Sequence, residues 1–79
     1  MSGQADDFMQ VAIELARSAV ETPGLRPFAA VVVRDGEIVG RGINRVEQKS
    51  DPTAHGEVEA IREACGHLGP DLSGCDLYT

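Results

Sequence analysis

Phe28-Ala29-Ala30-Val31-Val32-Val33-Arg34-Asp35-Gly36-Glu37-Ile38-Val39-Gly40-Arg41-Gly42-Ile43-Asn44 decides the fold. Its first part is a β-branched run too continuous for a strand with one wet face, so it reads as a strand covered on both sides. Asp35-Gly36 supplies the positive φ angles that a tight hairpin turn demands, and Glu37 to Asn44 is the returning strand.

Working outward, residues from about Asp6 to Glu21 carry apolar side chains at Phe8, Ala12, Leu15 and Ala19, and again at Met9, Ile13, Ala16 and Val20. Two adjacent stripes make one broad buried helix face. Asp6 and Asp7 suit the positive N-terminal end of that helix, and Thr22-Pro23-Gly24 stops it. On the other side of the hairpin, Val46 to Ser50 is a polar connection, and Asp51-Pro52-Thr53 is a helix-start signal. The second helix runs to about Cys65, with Gly66 or Gly69 ending it. Gly66 to Gly74 is a loop, and Cys75-Asp76-Leu77-Tyr78-Thr79 reads as a third strand. The order α-β-β-α-β makes an α/β protein. A helix between two strands usually forms a right-handed crossover, which predicts the third strand parallel to the second in one mixed sheet with helices packed on it.

Seventy-nine residues make at most one small domain, and 42% hydrophobic with 25% charged residues is a globular composition. No basic start followed by an apolar run marks a secretory signal, and no apolar stretch is long enough to cross a bilayer, so a cytoplasmic address without membrane contact is expected. A net charge of −6 argues against a broad surface for phosphate backbones and makes nucleic acid an unlikely partner. The two cysteines, Cys65 and Cys75, lack CxxC spacing and read as free thiols.

The second helix carries three glutamates with different orientations. Taking Ile61 as the centre of its buried face puts Ala54, Val58, Cys65 and Leu68 within about 60° and leaves Glu59 and Glu63 facing solvent. Glu57 falls about 40° from Ile61, inside the apolar arc near the helix N-terminus. One reading is that Glu57 turns along the first turn to water or to free backbone N–H groups. The other is that an inward carboxylate in a partly desolvated cleft takes and returns protons. His55, two residues earlier, is open in the same way: a first-turn surface or capping residue, or a metal ligand beside a carboxylate that reaches the metal's water. Residues two apart in a perfect helix point about 160° away from each other, so the pair meets at one ion only if the helix end lets the side chains bend over it.

Asp51-Pro52-Thr53-Ala54-His55-Gly56-Glu57-Val58-Glu59-Ala60-Ile61-Arg62 resembles the zinc-site segment of the cytidine and deoxycytidylate deaminase superfamily, whose signature is H-x-E followed by P-C-x-x-C. Pro27 to Val33 with Asp35-Gly36 and Asn44 is similar to the preceding strand pair of bacterial guanine deaminases and related nucleoside deaminases. Leu72 to Thr79 resembles the strand that leads into the cysteine motif. The resemblance implies the N-terminal part of a three-layer α/β/α cytidine-deaminase-like domain, ending before P-C-x-x-C, and a zinc-dependent, homodimeric deaminase.

On that resemblance His55 is the histidine ligand of Zn2+ and Glu57 the proton shuttle. Asn44 hydrogen-bonds a purine base, while Phe28 and the backbone of Gly56 line its pocket. Read without the resemblance, Asn44 is a strand-end turn residue and Phe28 is ordinary core. Ala29 stands where the family usually has glycine, and Gly56 replaces the usual alanine. The implied reaction is hydrolytic deamination of a small purine base, guanine first, with a tRNA-specific adenosine deaminase or a non-catalytic assembly partner as alternatives. Cys65 and Cys75 are not expected to replace the absent cysteine motif.

Overall fold

The computed structural model describes residues 3–79. The elements are α1 (Gly3–Ala19), β1 (Arg26–Arg34), β2 (Glu37–Asn44), α2 (Val46–Lys49), α3 (Gly56–Leu68) and β3 (Cys75–Tyr78). The hairpin turn forms as the sequence requires: Asp35 and Gly36 take φ of 52° and 77°, the left-handed pair of a type I′ turn.

The strand order is β2-β1-β3, and both pairings are antiparallel. The mixed sheet predicted from the crossover is therefore corrected to an antiparallel one among the described residues. β2 and β3 do run in the same direction, as a crossover demands, but α3 carries the chain past β2 and β3 joins the free edge of β1. The reason lies in β1 itself, whose residues from Ala29 to Val33 are all buried. A strand apolar on both faces is best placed centrally, and Val31 accordingly pairs with Arg41 on one side and Tyr78 on the other.

Ala30 and Val32 form a cluster with Ala60 and Ala64 of α3, flanked by Val39, Leu72 and Cys75. Alternation along β1 sends Ala29 and Val31 to the opposite face, where α1 lies, and the Phe8 and Tyr78 rings meet there at 5.5 Å. The helices thus cover the two faces as separate layers. None of those described is long and apolar enough to cross a membrane.

The buried face of α3 is Gly56, Ala60 and Ala64, not the arc centred on Ile61, which is exposed. Close docking explains the difference. A Cβ on Gly40 would lie 2.3 Å from the Ala60 carbonyl oxygen, and one on Gly42 would lie 2.1 Å from that of Gly56. Two glycines in β2 bring the helix backbone down onto the strand, where only small residues fit. This rotation also corrects Glu59, whose side chain keeps only 10% of its exposure.

Two local predictions change as well. Val46–Lys49 is a single helical turn, not a polar connection. Asp51-Pro52-Thr53 does not begin α3: the Asp51 carboxylate accepts the Thr53 N–H at 2.8 Å and its hydroxyl at 2.7 Å, closing a turn that precedes the helix.

Candidate functional site

A cleft of about 520 Å³ opens where β1 begins, β2 ends and α3 begins. Phe28, Asn44, His55, Gly56 and Glu57 all line it, so the fold brings together the five residues to which the resemblance gives site roles.

His55 occupies the N-cap position of α3 with extended backbone, φ −68° and ψ 156°, and its side chain makes no capping hydrogen bond. The capping alternative is thus not realised. Because His55 stands outside the helix, the 160° divergence between it and Glu57 does not apply. Its Nδ1 lies 3.8 Å from Glu57 Oε1, with both side chains about half exposed. The local backbone is fastened on both sides of the imidazole: the His55 N–H donates to the Thr53 carbonyl at 2.8 Å, and the His55 carbonyl accepts the first helical N–H, that of Glu59, at 2.9 Å. Hydrogen bonds from the Thr53 hydroxyl and N–H, helped by the charges of Arg62 and Lys49, hold the Asp51 carboxyl below the usual carboxylate range.

Asn44 is buried at the end of β2, and its Oδ1 accepts the Val46 N–H at 3.2 Å. The turn role and the cleft role coexist, because Asn44 lines the cleft while its carboxamide oxygen holds the Val46 N–H. Phe28 is not core: 64% exposed, its ring is an apolar wall between the cleft and a smaller apolar groove beside α1. Gly56 is buried, and a Cβ there would sit 3.0 Å from both the Ala29 Cα and the Phe28 carbonyl oxygen, so the absent side chain lets the start of α3 rest on β1.

Sequence reading missed four further lining residues, Arg26, Val46, Pro52 and Thr79. Arg26 pairs with Glu47 at 3.2 Å. The Thr79 hydroxyl donates to the Ala29 carbonyl at 3.2 Å. Neither residue carries a local signal: the hairpin register sets Arg26 opposite Asn44, and the place of β3 beside β1 brings Thr79 to the cleft.

A zinc ion needs about four ligands, and a catalytic one usually keeps a position for water. His55 fits as one such ligand, a half-exposed imidazole at a helix mouth with a carboxylate alongside. Cys75 packs on the core cluster at the opposite end of β3 from Thr79, and His67 belongs to the last turn of α3. Among the described residues no group of three or more His, Cys, Asp or Glu is arranged to hold a metal.

A second groove, of about 500 Å³, lies along β2 and is lined by Arg41, Arg45, Lys49, Arg62, Glu59 and Glu63 among others. Lys49 Nζ and Arg62 Nη1 both donate to Glu59, at 2.6 and 2.8 Å. These bonds hold the Glu59 carboxyl below its ordinary range, the Lys49 bond contributing most. With no imidazole or thiol in its lining, this groove offers no chemistry comparable to that of the cleft.

Guanine deaminase of Bacillus subtilis is 47% identical over 75 residues, which covers 94% of this chain and 48% of the relative. A tRNA-specific adenosine deaminase of Aquifex aeolicus is 46% identical over 72 residues, 90% of this chain and 47% of the relative. The X-ray structure of the Bacillus subtilis guanine deaminase superposes with a TM-score of 0.88 at 46% identity, covering 92% of this chain and 47% of that one. The chain spans about half the length of the curated relatives it matches. Residues 2–79 match the family described as the cytidine and deoxycytidylate deaminase zinc-binding region, and the chain belongs to that family.

Proposed function

We propose that this chain provides the base-binding wall, one zinc ligand and the proton-transferring carboxylate of a hydrolytic deaminase acting on a free purine, converting guanine and water to xanthine and ammonia. The observation that carries the reading is the convergence of His55, Glu57, Asn44 and Phe28 on one cleft, with imidazole and carboxylate 3.8 Å apart. Zinc, when bound, supplies an activated water nucleophile near neutral pH. His55 offers a ring nitrogen toward that ion. Glu57 takes a proton from the attacking water and returns it to the departing amine, and its half-exposed position leaves room for both partners. The Asn44 carboxamide nitrogen donates to a ring nitrogen or carbonyl of the base, while the Phe28 ring lies against its apolar face. Gly56 keeps the floor of the cleft free of a side chain.

Three features support a free base. The cleft has the volume of a small-molecule site, the net charge is −6, and Pro27-Phe28 resembles the guanine deaminase segment. A cytoplasmic homodimer belongs to the same reading. The tRNA-specific adenosine deaminase reading is favoured by one observation, the 46% identity to such an enzyme against 47% to guanine deaminase. The groove along β2 keeps an excess of cations, Arg41, Arg45, Lys49 and Arg62 against Glu59 and Glu63, although Lys49 and Arg62 share the one Glu59 carboxylate. Ammonia release by a zinc-loaded protein that includes the P-C-x-x-C motif of the family, measured with guanine and separately with tRNA, tests the choice. Turnover of guanine is expected. Turnover confined to tRNA would replace the first reading with the second, and none with either would favour a non-catalytic assembly partner.

A further inference from the structure

The turn that presents His55 is gripped from outside by a network of charged side chains that the chemistry of the cleft does not use. Arg62 of α3 donates from Nη2 to the Thr53 hydroxyl at 3.1 Å and lies 3.8 Å from the Asp51 carboxylate. Glu59, one turn earlier, accepts Arg62 Nη1 at 2.8 Å through one oxygen and Lys49 Nζ of α2 at 2.6 Å through the other. The Glu59 carboxylate thus ties α2, the turn and α3 together. We propose that Glu59 and Arg62 are positioning residues that strap the Asp51–Thr53 turn to α3 and so fix the direction in which His55 enters the cleft.

Several contacts set this strap apart from an ordinary surface ion pair. The Arg26 and Glu47 side chains are 53% and 62% exposed, and pairs of that kind contribute little. Glu59 is 10% exposed and takes two short charge-assisted bonds from Lys49 and Arg62, which are 47% and 50% exposed, so the acceptor end of each bond is shielded from water. The strap also acts at a vulnerable place. From Ser50 to His55 the chain belongs to no helix or strand. On the inner side the turn is held by the Arg45 N–H donating to the Ala54 carbonyl at 2.8 Å. On the outer side Arg62 is its tie to α3. Thr53 is the hinge of the arrangement, since its hydroxyl accepts from Arg62 while its carbonyl accepts the His55 N–H.

The inference rests on the proposed role of His55 only for its catalytic consequence, and the two are separable. Hydrogen exchange read residue by residue on Glu59→Gln and Arg62→Lys reports the strap without any turnover. Both variants are expected to exchange the Ala54 and His55 amides about tenfold faster or more, a loss typical of a charged hydrogen bond, with the Val31, Val32 and Val33 amides unchanged. Lysine keeps the charge of Arg62 but lacks the fork that reaches Glu59 and Thr53 together. Glu63→Gln, which removes a carboxylate from the same helix that instead accepts the Arg41 N–H, is expected to leave the turn amides as they were. In the zinc-loaded protein kcat should fall with the strap at unchanged KM, because Asn44 and Phe28 stand on strands. Unchanged turn amides in both strap variants, an equal rise in β1, or the same effect from Glu63→Gln would overturn the proposal. So would faster turn exchange with kcat intact. A protein that turns over no purine leaves the exchange result to decide the strap alone, while the reading of the cleft fails independently.

Discussion

Adding one methyl group at Gly42 should do more damage than any other single methylation of β2 or α3. Gly42 lies opposite Ala30 under the first turn of α3. A Cβ there would sit 2.1 Å from the Gly56 carbonyl oxygen, 2.3 Å from the Ala60 nitrogen and 2.9 Å from the Glu59 carbonyl carbon. All three obstacles are backbone, so no side chain can swing aside. An ordinary carbon–oxygen contact is about 3.3 Å, so α3 has to retreat by roughly 1 Å. That retreat opens the Ala30, Val32, Ala60 and Ala64 cluster and carries His55 and Glu57 with it. Overpacking costs about 1–3 kcal/mol, and the rigid obstacles place Gly42→Ala at the upper end. For a domain of this size each kcal/mol is worth roughly 4–8 °C, so a fall in Tm of at least about 10 °C is expected. Gly66→Ala is the matched control, with the same atom added inside α3 where nothing lies within 4 Å. It should gain about 0.5–1 kcal/mol from reduced backbone freedom. Thermal unfolding of both variants by circular dichroism measures the contrast. A Gly42→Ala protein as stable as the parent, or a destabilised Gly66→Ala, would refute the close docking of α3 on β2.

His55→Ala in the zinc-loaded protein should lower metal content as well as rate, and normal zinc stoichiometry by elemental analysis would count against the ligand role. Residues 1–79 alone should retain little zinc after dialysis, since the cleft holds one imidazole; stoichiometric zinc would show ligands that have been misjudged. The carboxyls of Asp51, Glu59 and Asp71, the last accepting the Ser73 hydroxyl and N–H, are lowered from 3.8, 4.5 and 3.8, so their contribution to stability is fully present above those values and is lost as pH falls through the folded ones. Tm should therefore drop below about pH 4, and Glu59→Gln should flatten that drop; stability rising between pH 5 and pH 3 would contradict the sign.

The hairpin was legible because Asp35-Gly36 names its turn through backbone sterics, and the burial of Ala29 to Val33 followed from composition. The register shift between Val32 and Val33 was not, since a bulge is a property of the pair and leaves no mark in either strand. The helical wheel failed on α3 because it weighs hydrophobicity, whereas Gly40 and Gly42 on another strand select small residues for the contact. Ile61 is the most hydrophobic residue of α3 and yet lies outside that contact. The cleft was legible in His55, Gly56 and Glu57, which adjoin in sequence, and in Asn44 through the resemblance. Phe28 was ambiguous until the strand placed its ring outward. Thr79 reaches the cleft only through strand order, once β3 passes to the far side of β1, whereas Arg26 reaches it through the hairpin register that sets it opposite Asn44.

The role of Glu57 is tested most directly by replacing its carboxylate with the amide of the same shape. Glu57→Gln in the zinc-loaded protein should leave folding and metal content unchanged, because His55 is untouched and the Glu57 side chain is half exposed. Ammonia release from guanine should fall by roughly 10²–10⁴-fold, the range for removal of a proton-transferring group. Ammonia release at the parent rate, with zinc bound and the fold intact, would contradict the assignment of Glu57 and with it the proposed chemistry of the cleft.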